Sequence, residues 1–315
     1  MLRFASDLSA LLDTQAPIGL AVSGGPDSLA LMVLAHEAIP GGFEVATVDH
    51  GLRPDSAAEA RIVAGLCHRL GIPHEILRPI VAPTGNLQAN ARAARYGALG
   101  EWAKTRGLTA ILSAHHADDQ AETLLMRLSR GSGVRGLAGM RGMAAVPGHP
   151  AIPLLRPLLG WRKVELEAII TKARIEPARD PSNADPRFER VRVRAGLVAS
   201  PWLDPAALAA SAAHLAEADA ALDWAAAREW DERVSHDLTA LHYRPLAPRA
   251  VQLRVLARAI ATFGHEGTPR GAEIARLHEA LSAGGVATLG GVKAVAESNG
   301  WRFTPAPPRR PRAVA

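Results

Sequence analysis

Leu20-Ala21-Val22-Ser23-Gly24-Gly25-Pro26-Asp27-Ser28-Leu29 is the stretch on which the fold turns. Apolar, β-like residues from Ile18 to Val22 run into a pair of glycines, and an apolar helical pattern, Ser28–Ala38, follows at once. Adjacent glycines let the backbone approach a ligand closely, and the helix behind them presents free N–H groups and the positive end of its dipole. This is a seat for phosphate. It is not a Walker loop, because no lysine precedes Lys104, and it lacks the G-x-G-x-x-G order of a dinucleotide fingerprint. A carboxylate at Asp27 would repel a bound phosphate unless a divalent cation lay between them, so the loop points to a nucleotide with Mg²⁺ on Asp27.

Outward from that turn the alternation continues. Phe43–Asp49, His74–Leu77 and Thr109–Ala114 read as strands, with helical spacing over Asp55–Leu70 and Asn86–Lys104 between them. The pattern predicts an α/β fold, a parallel sheet with helices on both faces and ligands at the carboxyl ends of its strands. Residues 131–160, rich in Gly and Pro, read as an irregular loop. Trp161–Ala173 and Pro186–Ala199 read as helices, the second with Asp185 placed to cap and Pro186 at the first helical position. Pro201–Arg233 is an alanine-rich helix or helix pair. From Leu238 onward come a strand, two helices (about Pro248–Phe263 and Pro269–Ala283) and short strands around Val286–Leu289, Val292–Ala296 and Trp301–Phe303. The expected organisation is a nucleotide-binding catalytic domain over 1–200, a helical linker over 201–236 and a small α+β domain over 237–315.

Composition removes several classes. With 48% hydrophobic and 21% charged residues among 315, the chain is neither disordered nor fibrous. No apolar run reaches the roughly 18–20 residues of a membrane span, and the start lacks a signal-peptide layout, so a cytoplasmic protein is expected. A single cysteine, Cys67, excludes an internal disulfide, a redox pair and a cysteine-built metal cluster. The net charge of +5 is uneven: residues 1–126 sum to −4, whereas residues 127–200 sum to +8. A basic middle of this kind faces a polyanion. Arg130, Arg135 and Arg141 are interleaved with glycines there, and Arg187, Arg190 and Arg194 share a face if their segment is helical (as a strand, Arg190, Arg192 and Arg194 would).

Three more segments carry chemistry at strand ends. His50, in Val48-Asp49-His50-Gly51, is placed for the adenosine half of a nucleotide. In Ser113-Ala114-His115-His116-Ala117-Asp118-Asp119-Gln120-Ala121-Glu122, a helix would put His115, Asp119 and Glu122 on one face. Asp119 and Glu122, like charges one turn apart, call for a cation, either a metal or a substrate ammonium. Arg92, Arg95 and Tyr96 project from nearby turns as a clamp for phosphate or base.

The turn SGGPDS at 23–28 resembles the PP-loop of the N-type ATP pyrophosphatases, which split ATP between its α and β phosphates. Together with VDHGLR (48–53), NLQANARAARY (86–96), HHADDQAETLLMRLSRGSGVRGLAGM (115–140), PLLRPLL (153–159) and RDPSNADPRFERVRVR (179–194), it resembles the tRNA(Ile)-lysidine synthase family, motif by motif and in order. The resemblance implies a Rossmann-like adenine nucleotide α-hydrolase fold. It also implies a ligase that adenylates O2 of the wobble cytidine of tRNA(Ile) and then lets the side-chain amine of L-lysine displace AMP. By the same resemblance Ser23, Gly24, Gly25, Pro26, Asp27 and Ser28, with His50, would hold ATP, and Asp27 would carry Mg²⁺. Asp27, Arg95 and His115 would act at the reacting groups, and Asp119 and Glu122 would bind lysine. Arg130, Arg135, Arg187, Arg190 and Arg194 would face a tRNA with a CAU anticodon. No obligate protein partner is implied. Either a nearby carboxylate or His115 would deprotonate the amine. The competing readings are an ammonia-using ligase with the same loop and an inert nucleotide- or RNA-binding module; a thiolase is disfavoured by the lone cysteine.

Overall fold

The computed structural model describes residues 2–12, 16–51, 56–178, 185–237, 239–264 and 269–307. Of the motifs quoted above, residues 52–55 and 179–184 lie outside these. After α1 (Leu2–Ser9), which sinks Phe4 and Leu8 into the core, the chain follows the expected alternation. It runs β1 (Ile18–Ala21), α2 (Pro26–Ala38), β2 (Phe43–Val48), α3 (Ser56–Leu70), β3 (His74–Leu77), α4 (Leu87–Arg106) and β4 (Ile111–Leu112). α2 starts on Pro26, whose missing N–H costs nothing at a helix start. The side chain of Asn86 caps α4 by accepting from the Ala89 N–H.

The segment 131–160 is a correction. Instead of an irregular loop it forms the short α6 (Val134–Leu137) and a hairpin, β5 (Met143–Val146) and β6 (His149–Leu155). β6 joins the sheet parallel to β4, pairing Ile111 with Leu154 and Leu112 with Leu155. Pro150 and Pro153 disguise this strand, because proline cannot donate to a ladder. The register shift at Ala145/Val146, beside the Ala145–Pro153 pair, accommodates the break.

The six strands lie in the order β3-β2-β1-β4-β6-β5, parallel except at the β5 edge. The chain builds leftward from β1 through β3 and then crosses to lay β4 on the other flank of β1. Loops leaving β1 and β4 therefore diverge, and a crevice opens at their carboxyl ends. One core cluster joins Leu20, Leu29, Leu31, Val63, Leu155 and Leu166; Tyr96, Leu99 and Trp102 of α4 build another with Ile111 and Leu154.

Beyond the sheet come α5 (Ala117–Leu128), α7 (Lys163–Ala173), α8 (Glu189–Val198) and α9 (Pro205–Arg233), the last a single 29-residue helix. α8 begins later than the sequence suggests. Asp185 accepts from the Arg187 N–H at 2.9 Å, and Phe188 N–H closes a turn onto the Asp185 carbonyl, so Asp185 and Pro186 shape a turn ahead of the helix. Arg187 consequently shares no helix face with Arg190 and Arg194.

The chain divides into two compact units, Met1–Ala216 and Glu217–Ala315, with the division inside α9. The second unit holds an antiparallel sheet, β7 (Val234–His236), β8 (Leu241–Tyr243), β11 (Gly300–Pro305), β10 (Val292–Glu297) and β9 (Val286–Leu289) in spatial order. α10 (Arg249–Phe263) and α11 (Gly271–Ser282) close its core with Trp230, Tyr243, Leu256 and Phe303. Glu229 is its polar anchor: one carboxylate oxygen accepts from the Tyr243 hydroxyl (3.0 Å) and the Leu246 (2.8 Å) and Ala247 (3.0 Å) N–H groups. Among the described residues, no helix is long and apolar enough to cross a membrane.

Candidate active site

The phosphate loop is preset by its own serines. Ser28 Oγ accepts from the Ser23 N–H (3.1 Å), donates to the Gly25 carbonyl (3.0 Å) and lies 3.2 Å from Ser23 Oγ. Gly24 sits at φ +86°, a conformation that disfavours any side chain. Its carbonyl accepts from the Ala178 N–H at 2.9 Å, which closes the loop from behind. In front lies a cavity of about 410 Å³, bordered by Val22, Ser23, Gly25, Thr47, His50 and Arg95. Ser23, Gly25 and Pro26 of the expected loop thus line one space with the expected His50 and Arg95, while Gly24, Asp27 and Ser28 do not border it. Burial, and then Arg95, lowers the pKa of His50, and its Nδ1 is buried without a partner.

Across the β1/β4 crevice the loop meets the start of α5. His116, 2% exposed, places Nε2 3.5 Å from Asp27 Oδ2 and 3.6 Å from Asp119 Oδ2, with Nδ1 3.7 Å from Asp118. Burial works against its charge, but Asp27, Asp119 and Asp118 outweigh burial and raise its pKa. The sequence marks His116 only as one of a histidine pair; its neighbour His115 is the one that the motif points to. Asp119 also accepts from the His116 N–H (3.2 Å), which fixes the first turn of α5. Asp118 accepts from the Lys163 N–H (2.8 Å) and the Arg162 guanidinium, tying α5 to the start of α7.

Asp27 has a second oxygen, Oδ1, that is buried and unpartnered. A bare hard donor beside a phosphate seat fits a divalent cation. Among the described residues, no group of three His, Cys, Asp or Glu could hold a metal. An ion there would complete its shell from phosphate and water, which is how Mg²⁺ binds nucleotides.

His115 lies ahead of α5, not on it, so it does not share a helix face with Asp119 and Glu122. Its Nδ1 is 2.9 Å from Ser113 Oγ. Burial, followed by Arg156, Arg95, Arg190 and Arg92, pushes its pKa down to about 3. Arg92 and Arg95 flank the Tyr96 ring at 5.0 and 5.9 Å. Arg156 belongs to this group too, and its one mark in the sequence is its place at the end of an apolar run before Pro157.

The acidic pair is answered from within the chain. Glu122, 1% exposed, accepts from Arg190 Nε (2.7 Å) and Arg194 Nε (2.6 Å), and Arg190 lies 3.7 Å from Asp119. Two of the expected RNA-facing arginines therefore spend one nitrogen each on Glu122. Of the others, Arg130 pairs with Glu189, Arg187 with Asp185, and Arg135 sits on α6. A further cavity of about 540 Å³ borders Glu122, Arg194, Lys163, Leu197 and Asp204.

A family model described as a PP-loop domain matches residues 2–200, which contain all of these groups except Asp204. A protein of Novosphingobium aromaticivorans named tRNA(Ile)-lysidine synthase is 53% identical over 310 residues, 98% of this chain and 94% of that one. The chain belongs to the tRNA(Ile)-lysidine synthase family. A family member from Zymomonas mobilis is 40% identical over 297 residues, 93% of this chain and 89% of its own. Among solved structures, a U34-tRNA thiolase of Methanococcus maripaludis shares the fold, with a TM-score of 0.55 at 17% identity over 68% of this chain and 75% of that one. Unlike a cysteine-based sulfur carrier, this family member has one thiol, Cys67, buried 3.7 Å from Met32 Sδ and pushed up to about 11 by that burial.

Proposed function

We propose that the chain uses ATP to join free L-lysine to C2 of the wobble cytidine of tRNA(Ile) bearing a CAU anticodon, in the cytoplasm. Family membership gives the reaction; the observation that carries the assignment of roles is the meeting of Asp27 with His116 and Asp119 across the β1/β4 crevice. In the first step O2 of the cytosine attacks the α phosphate of ATP and pyrophosphate leaves. In the second the lysine amine attacks C2, the C–O bond to the adenylate breaks, AMP leaves and the amine gives up a proton.

Ser23–Ser28 would cradle the departing pyrophosphate, with loop N–H groups aimed at its oxygens. Mg²⁺ on Asp27 would neutralise the charge that gathers there. Arg95 and the neutral His115 would stand over the α phosphate and the base. Asp119 and Glu122 would receive the lysine ammonium. Arg190 and Arg194 already answer Glu122, so an arriving ammonium meets cations as well as acids and sheds its proton more readily. Either Asp119 or His115, which burial and four arginines push down to about 3, would take that proton.

The test is mass analysis of nucleosides from a tRNA(Ile) transcript incubated with the protein, ATP, Mg²⁺ and lysine, with AMP followed in parallel. Lysidine with lysine-dependent AMP is the expected result. AMP formed with ammonia in place of lysine would point to an amidating ligase, and RNA binding without AMP to an inert module.

A further inference from the structure

Arg156 leaves the carboxyl end of β6 and is 8% exposed. Its Nη1 donates to the Arg141 carbonyl at 2.7 Å and it hydrogen-bonds the Tyr96 hydroxyl, while its Nε is buried without a partner. Among the described residues, the charged neighbour that bears on it is Arg92, and no carboxylate is one of its partners. A buried cation without a counter-charge is costly, and a native fold retains one where an anion arrives. Arg92 adds a second guanidinium over the same tyrosine, 5.0 Å from its ring.

Position decides which anion. The nucleotide cavity lies over β1 and β2, bordered by Val22, Ala46 and His50. Arg156 leaves β6, on the opposite flank of β1 with β4 between, about 10 Å across the sheet at ordinary strand spacing. It does not border that cavity. The anion at this end therefore belongs to the second large substrate.

We propose that Arg156, with Arg92 beside it, binds a backbone phosphate flanking the target cytidine and so seats that nucleotide against the ATP. The inference rests on the RNA substrate proposed above. Phosphate contacts of this kind set register and orientation without reading sequence. Arg156 is also the first of the four guanidinium groups that, after burial, lower the pKa of the neighbouring His115.

Arg156→Gln removes the charge and keeps an N–H donor for the Arg141 carbonyl. Relative to the unaltered protein it should weaken binding of the tRNA(Ile) transcript about tenfold. It should also lower the slope of log affinity against log salt by about 0.7, with ATP affinity in the absence of RNA unchanged. Arg156→Lys should restore the slope. An unchanged slope, or a loss of ATP affinity equal to the loss of RNA affinity, would overturn the proposal. A measurement on the unaltered protein covers the case in which the glutamine variant does not fold. A transcript with a neutral methylphosphonate on each side of the target cytidine should bind about tenfold more weakly, and equal binding would overturn the proposal as well. If the unaltered protein neither binds the transcript nor forms lysidine, it is the RNA substrate that fails, a different result from any of these.

Discussion

Asp27 shows how one side chain can face two tasks. Its Oδ2 is held 3.5 Å from His116, and its Oδ1 is left bare beside the phosphate loop. Asp27→Asn keeps the shape and removes the charge that a cation needs. Pyrophosphate release should fall by about a thousandfold, since charge stabilisation at a developing phosphate supplies several kcal/mol. Affinity for tRNA should stay within about twofold; equal losses would contradict the cation role. Glu229 makes the contrasting case of a carboxylate with purely structural work. Burial raises its pKa, but the Ala247, Leu246 and Tyr243 donors outweigh burial and leave it lowered. A lowered carboxylate stabilises the fold at pH above its unfolded value near 4.5, and that contribution is lost as pH falls through the folded value. Glu229→Ala should destabilise the second unit by about 2 kcal/mol, because the buried Tyr243 hydroxyl and the less buried Leu246 and Ala247 N–H groups lose one shared acceptor. The same variant should flatten the acid limb of the melting-temperature profile; an unchanged limb would remove Glu229 as its cause.

The packing of α8 against α5 turns the arginines of one helix onto the carboxylate of the other. Arg194→Ala should cost about 1–2 kcal/mol in stability, since Arg190 remains on Glu122. Its more telling effect is on pH. A cation removed from beside the lysine amine lets the ammonium keep its proton, so the rising limb of the lysine-dependent rate should move up by roughly half a pH unit or more. A profile that stays in place would separate α8 from the second step. These two helices also mark what the sequence could tell. Their existence was legible from periodicity and the acidic pair from spacing, but that α8 supplies the answering cations depends on a contact across 68 and 72 residues of chain. His116 is hidden by its likeness to His115: it is the cap residue of α5 while His115 lies one residue further out, and cap positions are hard to place from pattern. The β5–β6 hairpin was hidden by its prolines, and with it went Arg156, since without β6 nothing marked that residue as a strand end. The loop at Gly24, by contrast, was fully legible, because its conformation is written locally by glycine and serine.

For the molecule as a whole, the decisive quantity is where the positive charge lies. Residues 1–126, with the phosphate loop, sum to −4 and residues 127–200 to +8, so the proposed roles put ATP mainly on the first stretch and RNA, Arg92 apart, on the second. Local ATP binding through loop N–H groups should respond weakly to salt. RNA binding through spread arginines releases counterions and should respond steeply. If Arg130, Arg135, Arg187, Arg190 and Arg194 each neutralise one phosphate, log affinity should fall against log salt with a slope of roughly −4. Between 50 and 200 mM salt the tRNA affinity should then drop by roughly two to three orders of magnitude, while ATP affinity changes by less than about tenfold. Because each of Arg130, Arg187, Arg190 and Arg194 already has an acidic partner in the chain, the slope also measures how many of them exchange that partner for phosphate. A slope near −1 in a filter-binding titration would mean that the internal pairs persist and that RNA is held elsewhere. A slope near −4 would mean that these arginines exchange their acids for the RNA backbone.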